Sequence, residues 1–484
     1  MRSMIRGRRL YTHNHRESCT PRPGFSARVA EILRIRPSLI LARHNVRQVN
    51  QLMSLDESDA SDGPEQNPPG AGAPGRQVTP NGEAPALPTP PALPGGLSPE
   101  LLSELIAFRR DMHMHPELGN EEFRATALVK GRLEQAGLAP RVLDSGTGVI
   151  CDIGTWDGVR PLLAIRADLD ALPIPDTKTV PYRSTVPDRT HACGHDVHTT
   201  TVLGAGLVLA DLDRQGLLPR PVRLIFQPAE EMMPGGAGHA ITSGALEGVG
   251  RIIALHCDPK VDAGKVGLRV GPITSACDRL DIALDGPGGH TARPHLTTDL
   301  VTAVARVATD VPAVLARRVD TRSGLAVTWG RIDAGHAPNV IPQHAELSGT
   351  VRCLDLAAWH EAPDLIHAVI DEVAALHGAK SQITYVRGVP PVVNDQGATE
   401  LLRDAQTARL GSHAIEDTEQ SLGGEDFSWY LETVPGAMAR LGVKTPGDPA
   451  RYDLHRGDFD VDESAIKVGV ELFTGAALLD GNRL

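Results

Sequence analysis

Between residues 98 and 137 apolar residues recur at helical spacing. Leu101, Leu105, Ile106 and Phe108 mark one helix, and Ala125, Leu128, Val129 and Leu133 mark a second. Ser98-Pro99-Glu100 reads as an N-cap with proline in the first turn, and Gly137 closes the second helix. The pattern then shortens to apolar runs at 148–153, 162–165, 222–226 and 252–255, with a helical stretch from His198 to Leu212 between two of them. Runs that are apolar throughout and alternate with helices predict an α/β sheet covered on both faces.

Near residue 276 the pattern changes. A strand at Leu280–Leu284 is followed by a helix over 298–317, strands at Leu325–Arg331 and Ala345–Arg352, a helix over 357–377 and a strand at Gln382–Val386. That order, βαββαβ, is the ferredoxin-like unit. The expected fold class is α/β. A main domain in two pieces, 98–275 and 389–484, carries an inserted ferredoxin-like domain over 276–388. Residues 1–97 begin rich in arginine and continue through runs such as Ala84–Gly96, dense in proline and alanine, so they are expected to form a disordered or dispensable extension. Arg8-Arg9 lacks the apolar stretch that a twin-arginine signal needs, and Met53 offers an alternative start.

Composition narrows the function classes. Among 484 residues, 41% are hydrophobic and 22% charged, as in a globular protein, and the net charge of −12 argues against a nucleic-acid surface. No apolar run reaches bilayer-spanning length. Six cysteines in a chain of this size do not make a disulfide scaffold, so a reducing, cytoplasmic setting is expected.

Candidate chemistry gathers at the ends of the predicted strands. His191-Ala192-Cys193-Gly194-His195-Asp196-Val197-His198 packs metal-ligand types around a turn-forming glycine. Gln227-Pro228-Ala229-Glu230-Glu231 follows one strand, Leu255-His256 ends another, and Arg166-Ala167-Asp168-Leu169-Asp170 ends a third. Asp453-Leu454-His455 lies near the C-terminus. Taken singly, His256 and His455 read more readily as structural, and Asp168 or Asp170 could be a helix cap or turn residue. Together they set sulfur, imidazole and carboxylate groups at the exits of neighbouring strands, where open α/β sheets place their sites.

With these segments in order, joined by GPGGHTARPH, NVIP, GTVR and GGEDF, residues 98–484 resemble the dinuclear metallo-aminoacylase and carboxypeptidase family. Within it they are most similar to the amidohydrolase branch of hippurate and indoleacetyl-amino-acid hydrolases. The resemblance implies a metallopeptidase-like α/β catalytic domain with a dimerisation or lid insert. It implies two divalent ions per subunit, bridged by Cys193 where peptidase branches carry aspartate, with His195, Glu231, His256 and His455 as the other ligands. Glu230 is then the general base, with Asp168 and Asp170 behind the site and Asp170 counted among the catalytic groups. Peptidase branches have a liganding histidine at the position of Asp168, and His195 compensates here. His290 supplies the oxyanion donor, reaching the site of a partner subunit in a homodimer, and Asn339 and Arg352 grip the substrate. A thiolate favours zinc, whereas the mixed ligand set also accepts manganese, cobalt or nickel.

The implied function is metal-dependent hydrolysis of the amide bond in N-acyl amino acids, a small-molecule substrate, with no nucleic-acid or membrane partner. A dipeptidase or carboxypeptidase of the same family is the alternative, disfavoured by Cys193. A non-catalytic metal-binding protein is disfavoured by retention of Glu230.

Overall fold

The computed structural model describes residues 93–449 and 452–481. The expected extension lies outside them up to residue 92. Leu93 and Leu97 pack on the main core, and Arg409 donates to the carbonyls of Leu93 and Pro94 at 3.0 and 2.7 Å. The packed chain therefore starts ahead of Ser98.

Helix α1 (Pro99–Met114) opens where the Ser98 hydroxyl accepts the Leu101 N–H, and α2 (Phe123–Gln135) follows. Strands β1 (Arg141–Val142), β2 (Val149–Ile153) and β3 (Leu162–Asp168) lead to α3 (His195–Arg214), then β4 (Val222–Gln227), β5 (Val249–Asp262) and β6 (Val266–Leu268). Next come β7 (Cys277–Asp285), α4 (Leu300–Arg318), β8 (Ala326–Asp333), β9 (His344–Arg352), α5 (Leu356–Leu376) and β10 (Lys380–Val389). The chain finishes with α6 (Gln396–Leu410), β11 (Ile415–Asp417), β12 (Gly436–Lys444) and α7 (Ser464–Asp480).

The main sheet has the order β1-β2-β4-β3-β5-β12-β6-β11, and its centre (β4, β3, β5, β12) is parallel. Strands β3, β4 and β12 are buried along their length, apart from Lys444, because both faces are covered. Helix α3 lies between the sheet and α1 and α7, which is why sixteen of its twenty residues are buried. Such close contact needs glycine: a Cβ on Gly204 would sit 2.6 Å from Leu105 Cδ1 and 2.8 Å from Val470 Cγ2. The helix starts at His195, three residues before the sequence pattern shows it, because polar residues fill its first turn.

The second sheet, β8-β9-β7-β10, is antiparallel, and α4 and α5 cover one face over a core that includes Leu280, Ile282, Val307 and Ile370. Its order and connections make it ferredoxin-like. Pro312 lies inside α4 and cannot donate to the carbonyl of Ala308. The Trp329 indole N–H, arriving from β8, donates to that carbonyl at 2.9 Å and restores the missing bond.

Among the described residues no helix is long and apolar enough to cross a membrane, and all five cysteines are free.

Candidate metal centre

The parallel strands β3 and β4 end side by side, with Asp168 opposite Gln227, and β5 carries His256 beside them. Directly after β4 the backbone turns left-handed at Ala229 (φ 55°). Two carboxylates hold the next three amides. Glu122 Oε1 accepts the Ala229 N–H at 2.7 Å, while the two oxygens of Asp170 accept the N–H groups of Glu230 and Glu231 at 3.0 and 2.9 Å. Asp170, which the sequence suggests as a catalytic group, therefore fixes the backbone that aims the two glutamates.

Cys193 and His195 flank Gly194, whose φ of 85° and lack of a side chain admit the close pass of Cys257; a Cβ there would lie 2.7 Å from the Cys257 sulfur. His455 arrives from the C-terminal loop in a left-handed turn (φ 62°), with its N–H donating to the Ala192 carbonyl at 2.8 Å.

Hydrogen bonds sort three of the buried histidines. His195 Nδ1 donates to the Asp170 carbonyl at 2.9 Å and His256 Nδ1 donates to the Cys257 carbonyl at 2.8 Å, which turns Nε2 of both rings toward the site. His198 differs: Nδ1 bonds Asp168 Oδ1 at 2.7 Å, and Nε2 accepts the Cys257 N–H at 2.8 Å. With both ring nitrogens engaged, His198 supports the site without offering a lone pair to it.

The free donors converge. Ligand atoms of Cys193, His195 and His256 lie within 4.8 Å of one another, as do those of Cys193, Glu231 and His455, and those of His195, Glu230 and Glu231. Cys193 Sγ is 3.5 Å from His256 Nε2, and His455 Nε2 is 3.2 Å from Glu231 Oε1. His195 Nε2 is buried with no hydrogen-bond partner, and buried Glu231 Oε1 has the His455 ring beside it. Buried polar atoms are rarely left without a partner. An orphaned nitrogen beside a sulfur, among imidazoles and carboxylates, fits divalent metal ions.

The electrostatics point the same way. Burial opposes charge on His195, but Asp168, Asp170 and Glu231 outweigh it and carry its pKa up to about 10. Burial, reinforced by Glu231 and Glu230, pushes the Cys193 thiol well up, and burial with Glu425 and Glu231 pushes Glu230 well up. Burial, with Arg440 and His198, holds His256 well below the usual range. A field that retains protons on sulfur and carboxylate is one that a cation would relieve, with the protons leaving as it enters.

Behind the donors, buried Arg166 is held by Asp168 at 2.6 Å, Asp426 at 2.8 Å, Glu425 at 3.2 Å and the Gln227 side-chain oxygen at 3.0 Å. These carboxylates thus face a fixed cation on the side away from the cavity.

The cavity measures about 300 Å3, and its walls include Cys193, Glu230, Glu231, His256, Arg352 and His455. Arg352 donates to the Leu422 carbonyl at 3.0 Å. His290 and Asn339 stand elsewhere, exposed and next to each other on a short ribbon in which Gly289–His290 pairs with Val340–Ile341. His290 Nδ1 accepts the Ala292 N–H at 3.1 Å, and the Asn339 carbonyl accepts the Thr291 N–H at 3.2 Å. Neither lines the cavity of its own chain.

Sequence reasoning missed Glu122, Arg166 and His198 as supports, and Arg440 as a wall of the cavity. An arginine within the apolar run Gly436–Val443 was the available signal for the last.

The profile of peptidase family M20/M25/M40 matches residues 164–479. A Rhodococcus jostii protein bearing a glutamate–cysteine ligase name is 46% identical over 377 residues, which are 78% of this chain and 47% of that one. The chain thus spans about half the length of that relative. The N-acetyl-L-cysteine deacetylase of Bacillus subtilis is 38% identical over 385 residues, covering 79% of this chain and 90% of its own. Among solved structures, a Bacillus subtilis protein described as a dinuclear metal-binding peptidase of the M20 family aligns with a TM-score of 0.69 and 33% identity, over 80% of this chain and 99% of the other.

Proposed function

We propose, from the premise that this chain belongs to peptidase family M20/M25/M40, a family of hydrolases acting on amides, that it cleaves the amide bond of N-acyl amino acids. Two divalent ions, zinc or manganese in the first instance, would be held by Cys193, His195, Glu231, His256 and His455. The observation that carries this reading is the buried His195 Nε2, left without a hydrogen-bond partner near Glu231 and a cysteine sulfur, at a cavity that also holds Arg352.

When bound, the ions supply Lewis acidity to a water and to the scissile carbonyl. Glu230 accepts the proton of the attacking water and delivers it to the leaving amine as the C–N bond breaks. Asp170 keeps Glu230 and Glu231 at fixed angles, so that one serves as base while the other remains a ligand. Arg352 receives the carboxylate of the amino acid, for which a guanidinium is suited. In this reading residues 276–388 pair with a second copy, and the partner subunit's His290 and Asn339 complete the site. The enzyme acts in the cytoplasm, without nucleic acid or membrane.

Turnover of N-acetyl, benzoyl and indoleacetyl amino acids, measured beside dipeptides, tests the reading. Cleavage of the acyl amino acids, lost on chelation and regained with a divalent metal, is expected. Faster cleavage of dipeptides, or activity indifferent to chelator, would overturn it.

A further inference from the structure

Arg440 sits in the middle of β12, opposite His256 of β5 and Gly267 of β6. Gly267 makes room for it: a Cβ there would stand 3.2 Å from Arg440 Cβ. The residue is only 6% exposed, and its Nη2 is buried without a hydrogen-bond partner. Among the described residues no carboxylate lies within ion-pair distance of it. Buried guanidinium groups elsewhere in the chain are treated differently, as Arg109 and Arg166 each face two or more carboxylates.

The acids nearest in charge, Asp258 and Glu425, are engaged with other groups. Asp258 accepts the Lys260 N–H at 2.8 Å, and Glu425 faces Arg166 at 3.2 Å. A cation stripped of water and left without a counterion is poised for an anion from outside.

The position suits such a ligand. Arg440 lines the metal-site cavity together with Arg352, and it also lines an adjoining cavity of about 440 Å3. Ser421 and Leu454 are common to both cavities. Substrate held by its amino-acid carboxylate at Arg352 therefore has a second, separate cation within the same space.

We propose that Arg440 is a specificity-determining residue forming an anion subsite for a second carboxylate, so that the preferred substrates are dianionic N-acyl amino acids. The second carboxylate comes either from a dicarboxylic acyl group or from an acidic side chain. This rests on the amide-hydrolase reading.

Two matched pairs separate the sources on the metal-loaded enzyme: N-succinyl-leucine against N-acetyl-leucine, and N-acetyl-glutamate against N-acetyl-glutamine. In one pair the dianion should have the higher kcat/KM by about 10- to 100-fold, the worth of a charge-assisted hydrogen bond. That ratio should collapse in Arg440→Met, chiefly through KM, and return in part in Arg440→Lys. No preference in either pair for the native enzyme, which requires no variant to fold, overturns the subsite. A preference kept in a folded Arg440→Met does the same.

Calorimetric titration with succinate, at equal metal content, gives a readout without turnover. Succinate should bind the native protein more tightly than Arg440→Met. If amides are cleaved but succinate does not distinguish the two proteins, the subsite falls and the hydrolase reading stands. If no amide is cleaved while succinate binding depends on Arg440, the hydrolase reading falls and the subsite stands.

Discussion

At the ends of β3, β4 and β5 the side chains of Asp170, His195 and His256 are tied to backbone groups, whereas on the ribbon of Gly289–His290 and Val340–Ile341 the side chains of His290 and Asn339 stand exposed. The first region is preorganised: Asp170 clasps two amides, two imidazoles have their Nδ1 atoms tied to carbonyls, and the candidate ligands face one another. The second region is regular backbone that presents polar groups outward. A site assembled from both would draw its ligands and base from a rigid interior and its oxyanion donor from a surface that needs a counterpart. The difference teaches where precision has to be built in, since ligand geometry tolerates little error and a docking donor is positioned by the whole interface.

The interior half can be broken most severely. Glu230→Gln should lower kcat by roughly 10²–10⁴-fold, the usual worth of a general base, with metal content nearly intact. Glu231→Gln should reduce metal occupancy as well as turnover. Elemental analysis alongside steady-state kinetics distinguishes them, and a normal kcat in Glu230→Gln would remove it as the base.

The exterior half should respond next. His290→Ala is expected to cut kcat by about 10²–10³-fold without loss of metal. Co-expressing His290→Ala with Glu230→Gln should restore part of the activity, because one site of the heterodimer then has both residues. Verified heterodimers that stay inactive, or a monomer shown active by sedimentation, would count against a donor acting between subunits.

A smaller effect tests how the second sheet is held together. Trp329→Phe removes the indole donor that serves the Ala308 carbonyl above Pro312. It should destabilise the protein by about 1 kcal/mol in urea melts, with the donor cluster untouched. No change in stability would mean that water serves that carbonyl equally well.

The periodicity of apolar residues was enough to read the βαββαβ unit because its strands and helices are local and amphipathic: α4 and α5 fall within two residues of the ends expected for them. Past Val389 that signal weakens. Strand β12 is buried end to end apart from Lys444 and is interrupted by Arg440, so no period marks it, and its partners β5 and β6 lie far away in sequence. The site divides in the same manner. Residue type could nominate Cys193, His195, Glu230, Glu231, His256 and His455, since metal chemistry draws on few side chains. It could not separate His198 from its neighbours. What distinguishes that ring is an amide from Cys257, fifty-nine residues away, on its second nitrogen. Nor could it show that Asp170 serves backbone amides sixty residues on.

The donor cluster around His195 and Glu231 has a bearing on how much of this protein survives in a given medium. An ion that enters the donor cluster only in the folded chain adds RT ln(1 + [M]/Kd) to the free energy of unfolding, about 2.7 kcal/mol per site when the free ion is at a hundred times its dissociation constant. Melting temperature therefore becomes a gauge of free metal activity, and a chain purified in chelator is a less durable material than the same chain in a metal-replete buffer. A substitution anywhere in the fold will look harmless or severe according to the ion supply against which it is measured.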